Sequence, residues 1–442
     1  MTDGMERVIK TCYCFLGQNN FFVTPTDVDL FVTRFQKEML AGLTGRESSL
    51  EMIPAYVSLT MRTILVDTPV MVLDAGGTNF RSCLVSFDRA GRPRIDGYRE
   101  LQMPGTTGKM TKEEFFRALA DPIYALQGKT GSVLLGFCFS YPATITPERD
   151  GKLLYWTKEI DVPEAVGCLV GEGIVEAFSS WTYNPVLKVS VLNDTVATLM
   201  AGAGTARPYS AYYGLILGTG VNMAYEEQNW RIPKVPGLPK DGTMVINMEF
   251  GGFDGVSRSK FDEILDASLA DSGTHQFEKM ISGAYQGLLA LVVMKEAAKA
   301  GLFSSEAAEA ILGLQDLGTA DFDNFVYNPF LEGTVLDGVP MTDGDRRVFV
   351  ILGTAILRRA AYLAGVGVAA VVLHGGGGKD PLYPVCITVD GSVFYKTKSA
   401  HFRSLIEEYL RYVLSPYGIY FDLVTVENAP IIGAAVAGLS AV

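Results

Sequence analysis

Residues 72–81 read Val-Leu-Asp-Ala-Gly-Gly-Thr-Asn-Phe-Arg, and the fold turns on how this stretch is parsed. The apolar run Val70–Leu73 reads as a buried strand that ends in an acid, Asp74. A glycine pair, Gly76 and Gly77, follows with Thr78 and Asn79, and a second apolar run, Cys83–Phe87, returns. The pattern predicts strand, tight turn, strand. Glycine admits positive φ and lets backbone N–H groups approach a ligand closely. Those N–H groups with Thr78 and Arg81 would make an anion cradle beside an acid able to hold a metal. An ordinary hairpin with a glycine turn would read the same way, so the motif needs support from the rest of the chain.

Support comes about 140 residues on. Tyr213–Leu217 is a strand, Gly218-Thr219-Gly220 a turn, and Val221–Tyr225 a second strand. Two strand–glycine turn–strand units imply an internal repeat, two related α/β lobes. Between them, strands and helices alternate, which argues α/β. Thr26 or Asp27 can cap a helix to about Leu43, and Thr111-Lys-Glu-Glu114 is a capping box. Val133–Phe139 is a continuous apolar strand running into Ser140, and Val186–Leu192 is another, ending in Asn193-Asp194-Thr195. Val245–Phe250 reads as a strand carrying Asn247 and Glu249, Gln276–Lys299 as one helix, and Thr342–Leu363 as another. Val368–Leu373 then reads as a strand, and Pro430 opens a small-residue helix over 431–441. Gly375–Gly378 lacks the following Lys-Ser/Thr of a P-loop and reads as a flexible connection.

The totals narrow the function. A chain of 442 residues with 48% hydrophobic residues can bury a sizeable core, in one large or two medium domains. Net charge is −12, which disfavours nucleic acid or an anionic membrane as the main partner. Six cysteines are scattered without a C-x-x-C pair, and three histidines form no ligand pair. That suits a reducing compartment and argues against zinc. Met1–Gly17 carries acids and does not read as a signal peptide. The longest apolar run, Ala360–Leu373, is interrupted by Gly365 and Gly367 and reads as too short to span a bilayer. A soluble, cytoplasmic protein is expected.

Ligands of α/β folds gather at the carboxyl ends of strands, where Asp194 sits. A carboxylate there can take a proton from a substrate hydroxyl, or it can simply cap the following helix. Ser140, Thr157, Lys158, Asn193, Asn222, Glu249 and Glu278 fall at strand ends or turns. Together they could surround a polyol, because carboxylates and amides grip paired hydroxyls.

In order and spacing these motifs resemble the hexokinase family, the single-unit sugar kinases (hexokinase or glucokinase type) of the actin-like ATPase superfamily. The resemblance runs from Phe35 through the rest of the chain. Leu73–Arg81 is similar to the family's first phosphate motif and Gly214–Asn222 to its second. Phe137–Pro142 with Leu153–Lys158 is similar to the sugar signature, and Val191–Thr195 to the strand ending in the catalytic Asn-Asp. Ile246–Phe253 and Phe277–Gly283 are similar to the segments that supply two sugar-binding glutamates.

The resemblance implies a two-lobed actin-like ATPase (ribonuclease H-like) fold with an interlobe cleft. The small lobe would hold 66–193 and 430–442, the large lobe 1–65 and 194–429. It implies ATP-dependent phosphorylation of a hexose, glucose by preference, at the 6-hydroxyl, as in the first step of glycolysis. Asp194 would be the general base, assisted by Lys158. Asp74 would hold Mg²⁺. Gly76, Gly77, Thr78, Asn79, Arg81, Gly218, Thr219 and Gly220 would line the phosphates. Ser140, Thr157, Lys158, Asn193, Asn222, Glu249 and Glu278 would hold the hexose. Closure of the lobes would exclude water. A sugar sensor without catalysis on the same fold, or a kinase for another polyol or donor, would share most of these motifs. Oligomeric state is not readable from the sequence.

The chain departs from the family at three places. His275 stands where a glutamine is usual, Glu159-Ile160 replaces Gly-Phe, and Asn428–Ile432 replaces Asp-Gly-Ser-Gly-Lys beside the adenosine. The first bears on one sugar contact and on sugar preference, the last on nucleotide affinity and choice, and the sequence leaves both open.

Overall fold

The computed structural model describes residues 2–22, 28–59, 66–77, 79–130, 132–157, 160–180, 187–205 and 207–440. Thr26, Asp27, Thr78 and Lys158 lie outside the described residues.

Helices α1 (Thr2–Gln18) and α2 (Val28–Leu43) precede the short strand β1 (Ile53–Pro54) and a meander of β2 (Val70–Gly76), β3 (Asn79–Phe87) and β4 (Pro93–Gln102). Helix α3 (Lys112–Thr130) leads to β5 (Leu134–Phe139) and the hairpin β6 (Ala143–Ile145) and β7 (Gly151–Leu153). Then come α4 (Val170–Ser179), β8 (Lys188–Leu192) and α5 (Asp194–Ala203). A second meander follows: β9 (Ala211–Leu217), β10 (Val221–Gln228) and β11 (Thr243–Asn247). Helices α6 (Lys260–Ser268), α7 (Gln276–Ile281), α8 (Gln286–Lys299), α9 (Ser305–Gly313), α10 (Thr319–Tyr327) and the long α11 (Asp343–Gly375) come next. The last elements are β12 (Val385–Asp390), α12 (Ser392–Lys396), α13 (Phe402–Leu414), β13 (Phe421–Val424) and α14 (Ala429–Leu439).

The repeat is deeper than two hairpins. One sheet runs β4-β3-β2-β5-β8, the other β1-β11-β10-β9-β12-β13. In each, three meander strands pair antiparallel, and the first of them is flanked on its other side by two parallel strands. Leaving β1 aside, strand order and direction are the same in both sheets.

Alternation along the strands sets which face meets which partner. Val70 and Val72 of β2 pack in a cluster with α5 and α14, while Met71, Leu73 and Ala75 pack against α3 and α4. In the second sheet Tyr212, Ala224, Val245 and Cys386 join that same α5–α14 cluster, and their strand neighbours face the large helical core. The two helices are thus shared between the inner faces of both sheets. They touch closely: a Cβ on Gly433 would lie 1.8 Å from the Ala197 carbonyl oxygen, so only glycine permits this approach.

The capping box at Thr111–Glu114 is present: Glu114 Oε2 accepts from the Thr111 N–H at 2.9 Å, and Thr111 Oγ1 accepts from the Glu114 N–H at 3.2 Å. Several sequence expectations are corrected. The predicted strand at Val368–Leu373 is part of α11, which runs unbroken for 33 residues. Its β-branched run reads as a strand, but Gly365 and Gly367 serve close packing: added Cβ atoms would meet Tyr409 Cβ at 2.9 Å and Phe250 Cζ at 2.7 Å. This helix is long and apolar enough to cross a membrane, contrary to the shorter run read from the sequence, and 83% of its most apolar 18-residue window is buried within the protein.

The predicted single helix over 276–299 is two, α7 and α8. Between them the Gly283 and Ala284 N–H groups bond the Gly218 and Thr219 carbonyls at 2.8 and 2.9 Å instead of helical partners. The strand expected through Phe250 ends at Asn247, and Glu249 takes a left-handed φ of 54°. Gly375–Gly378 is a packed connection, with Gly378 N–H bonded to Ser210 Oγ and the Gly376 carbonyl accepting from Tyr213 Oη, each at 2.7 Å.

Candidate active site

Strand alternation delivers the functional groups to one place. Asp74 shares the inner-face parity of Val70 and Val72, and Ser140 that of Leu134 and Cys138. Asp194 follows Leu192 of the inner face after two residues. β2, β5 and β8 are parallel neighbours, so all three groups stand at carboxyl ends of adjacent strands. On the other sheet Asn222 shares parity with Ala224, and Asn247 with Val245. The inner faces therefore converge on the N-terminal end of α5.

The N-cap of α5 is Asn193, whose side chain accepts from the Thr195 N–H at 2.8 Å. Capping is thus not the task of Asp194, which lies one residue further in, half-buried, with Thr195 Oγ1 donating to its Oδ1 at 3.3 Å.

A cavity of about 480 Å³ opens here, between the two sheets. Of the residues expected to hold a polyol, it is lined by Ser140, Thr157, Asn193, Asn222, Glu249 and Glu278, with Gly220 at its edge. Asp194 and Asp74 do not line it, though Asn193 does. Sequence reasoning missed Glu51, Tyr155 and Asn247, which also line it, and His275 lines it as well. Asn247 carried a signal, since it shares a strand with Glu249's segment at the inner-face parity.

The polar wall is tightly cross-linked. Asn222 Nδ2 donates to Asn247 Oδ1 at 2.7 Å, and Asn247 Nδ2 donates to Glu249 Oε1 at 2.8 Å. Asn222 Oδ1 accepts from the Met223 and Phe250 N–H groups at 2.7 and 3.2 Å. Glu278 Oε2 accepts from the Val221 N–H at 2.8 Å. Burial pushes Glu249 up to about 7, opposed by the Asn247 bond and reinforced by Glu51, Asp194 and Glu278. Burial also raises Glu278, opposed by its bond from Val221.

The first glycine turn carries a charged pair. Asp74 is 4% exposed, and burial raises its carboxyl above the ordinary range. The Arg81 guanidinium 3.2 Å away and a bond from Cys138 oppose that rise, while Asp194 adds to it. Tyr141 Oη donates to the Gly77 carbonyl at 2.8 Å, and Asn79 is exposed at the turn. Among the described residues no group of three or more His, Cys, Asp or Glu gathers as a metal site. With fewer than three such groups at Asp74, the donor set there suits a Mg²⁺ ion held chiefly by phosphate oxygens and water.

A second cavity, of about 530 Å³, lies across the second glycine turn. Thr219, Gly283, Ala284, Ser392, Val393 and Lys396 are among the residues lining it, and none of 428–432 is. Gly220 faces one cavity and Thr219 the other, so the turn 218–220 divides them. The repeat could have pointed here: Ser392 follows β12 much as Ser140 follows β5 in the first sheet.

Comparison with known proteins agrees with this layout. The two parts of the hexokinase family model match residues 17–204 and 212–440. Hexokinase-3 of Homo sapiens is 32% identical over 378 residues, covering 82% of this chain and 40% of that protein. Hexokinase-7 of Oryza sativa subsp. japonica is 30% identical over 409 residues, covering 85% of each. The solved hexokinase of Schistosoma mansoni complexed with glucose is 26% identical, covers 99% of both chains and superposes with a TM-score of 0.78. The chain spans about two fifths of the length of the mammalian Hexokinase-3 proteins it matches. It has the fold of the hexokinases, a two-sheet α/β architecture of the actin-like ATPase type, and it belongs to the hexokinase family.

Proposed function

We propose that this chain transfers the γ-phosphoryl group of ATP to the 6-hydroxyl of a hexose, glucose by preference, giving hexose 6-phosphate. One observation carries the reading: two cavities flank the turn 218–220, one walled by amides and carboxylates, the other lined by Thr219, Ser392 and Lys396. The first suits a polyol and the second a nucleotide, and transfer between them needs mainly alignment and charge neutralisation.

Asn193, Asn222, Glu249, Glu278, Ser140 and Thr157 would grip the hexose hydroxyls, and Lys158, which follows Thr157, would reach the same group. Asp194, freed from capping by Asn193, would take the proton of the 6-hydroxyl as that oxygen attacks phosphorus. The proton passes to an Asp194 carboxylate oxygen, and the phosphorus–oxygen bond to ADP breaks. The turn glycines 76, 77, 218 and 220, with Thr78, Asn79, Arg81 and Thr219, would cradle the phosphates. Mg²⁺ held by Asp74 would neutralise developing phosphate charge.

On this reading 66–193 with 430–442 forms the small lobe and 1–65 with 194–429 the large one. The sheets divide in this way, and α14 packs on β2, β5 and β8. None of the six cysteines forms a disulfide, which is in keeping with the cytoplasm. The test is a coupled assay of glucose phosphorylation with Asp194→Ala. Turnover should fall by about 10³-fold while hexose binding by calorimetry stays within about twofold. Near-normal turnover in that variant would remove Asp194 as the base.

A further inference from the structure

Arg81 stands between two acids. Asp74 of β2 is its strand partner on one side, and Glu100 of β4 is its partner on the other. Directly paired residues project on the same face. The three side chains thus form one acid–base–acid row across adjacent strands. Arg81 Nη1 lies 3.2 Å from Asp74 Oδ2, and its Nε lies 3.5 Å from Glu100 Oε2.

The two acids are not equivalent. The Asp74 side chain is 5% exposed and the Glu100 side chain 42%. Glu100 is also held in place, because Tyr98 Oη donates to its Oε2 at 2.8 Å. Arg81 Nε is buried without a hydrogen bond, and the Glu100 carboxylate 3.5 Å away is the charge that faces that edge of the guanidinium. With Glu100 gone, the fork would face a single buried carboxylate, and a guanidinium meets one carboxylate best by closing on it with two parallel bonds. That would cover Asp74 and withdraw Arg81 from the glycine turn together.

We propose that Glu100 is a positioning residue for nucleotide binding: it keeps the Arg81 guanidinium between the two acids, on a single bond to Asp74 rather than closed over it, so that both groups stay available to the phosphates. The inference rests on reading that turn as a phosphate site. Glu100 itself touches no substrate and acts through Arg81. Tyr98 acts one step further out, by fixing Glu100.

The test is titration calorimetry with a non-hydrolysable Mg·ATP analogue and, separately, with glucose, on wild type, Glu100→Gln and Tyr98→Phe. Steady-state KM values for ATP and glucose accompany it. Glu100→Gln should weaken nucleotide binding about three- to fivefold, the range open to a partly exposed ion pair. Glucose affinity and melting temperature should hold. Tyr98→Phe, which changes no charge, should shift nucleotide affinity the same way by a smaller factor. A purely structural pair would lower the melting temperature or move both ligands together, and that result overturns the proposal. So does nucleotide affinity that is unchanged or tighter in Glu100→Gln while wild type binds normally. If wild type binds glucose but no nucleotide, the phosphate reading of the turn falls, and this proposal falls with it.

Discussion

The turn after β2 and the turn after β9 occupy the same station in the repeated sheet, yet they are built from different chemistry. Beside the first, a buried acid pairs with an arginine across the hairpin. Beside the second there is no charge on the paired positions: Asn222 stands opposite Ile216, and its amide is locked to Asn247 and to two backbone N–H groups. The first turn is held by a side chain, the Tyr141 hydroxyl on the Gly77 carbonyl, and the second by backbone N–H groups of Gly283 and Ala284. Duplicated topology thus supplies two equivalent glycine bends, and the residues beside them divide the labour. One is a charged pair, which on the proposed reading would exchange with an incoming cation and phosphates; the other is a hydrogen-bonded amide network.

If that division holds, substitutions beside the two turns should fail in different ways. The largest contrast is expected from Asp74→Asn. Removing the buried charge should cut kcat by about 10²–10³-fold while glucose affinity stays within about twofold. A rise in glucose KM with kcat preserved would mean that the first turn belongs to the sugar side. Asn222→Ala should do the reverse. It strands the Asn247 carbonyl and the Met223 and Phe250 N–H groups, each costing about 1–3 kcal/mol when left unpaired. Glucose KM should rise about 10- to 100-fold with ATP KM unchanged, as read by steady-state kinetics with each substrate varied.

The two glycine hairpins were legible in residues 72–81 and 213–222 as strand, glycine turn, strand, but an ordinary hairpin reads the same way, so the division of labour rests on the residues that pack beside them. Element type failed where local pattern and packing disagreed. The β-branched run 368–373 reads as a strand, but it is wrapped by α13 and the Phe250–Phe277 pair and stays helical. The break between α7 and α8 has no glycine or proline signal stronger than Gly283, and its cause is a tertiary bond to the second turn. Site membership was legible for the wall residues Asn222, Glu249 and Glu278. Glu51 was not, since its place depends on which strands lie side by side, and the signals for Asn247 and the second cavity, inner-face parity and the repeat, went unused. Thr78 and Lys158 lie outside the described residues, and their roles rest on the motifs they belong to.

The charge held near the second turn can be sharpened by pH. Glu249 is raised to about 7 from an ordinary 4.5, mainly by burial. A raised carboxylate is the reverse of the usual acidic pair. Its contribution to stability is fully present below the ordinary value and is lost as pH rises through about 7. Hexose hydroxyls donating to Glu249 need its ionised form, so affinity should move with the opposite sign. Glucose binding should weaken about tenfold between pH 8 and pH 6, with a proton released on binding near neutrality. Glu249→Gln should flatten that profile. Calorimetry in two buffers of different ionisation enthalpy would detect the proton. A profile that is flat in wild type would place the titrating group elsewhere.

The smallest effect tests the tie on the first turn. Tyr141→Phe removes only the hydroxyl that bonds the Gly77 carbonyl, and the ring keeps its packing against Phe139 and Trp156. A single hydrogen bond of this kind contributes about 0.5–1.5 kcal/mol. If the turn must be held at one height to meet the phosphates, ATP KM should rise about threefold. The carbonyls of the second turn offer no equivalent side-chain truncation, because Gly218 and Thr219 accept from the backbone N–H groups of Gly283 and Ala284. Tyr141 also lines the sugar cavity, so glucose KM serves as the internal control. A parallel rise in both constants would mean that the hydroxyl shapes the cavity wall rather than the turn, and the contrast between a side-chain-held and a backbone-held bend would lose its functional meaning.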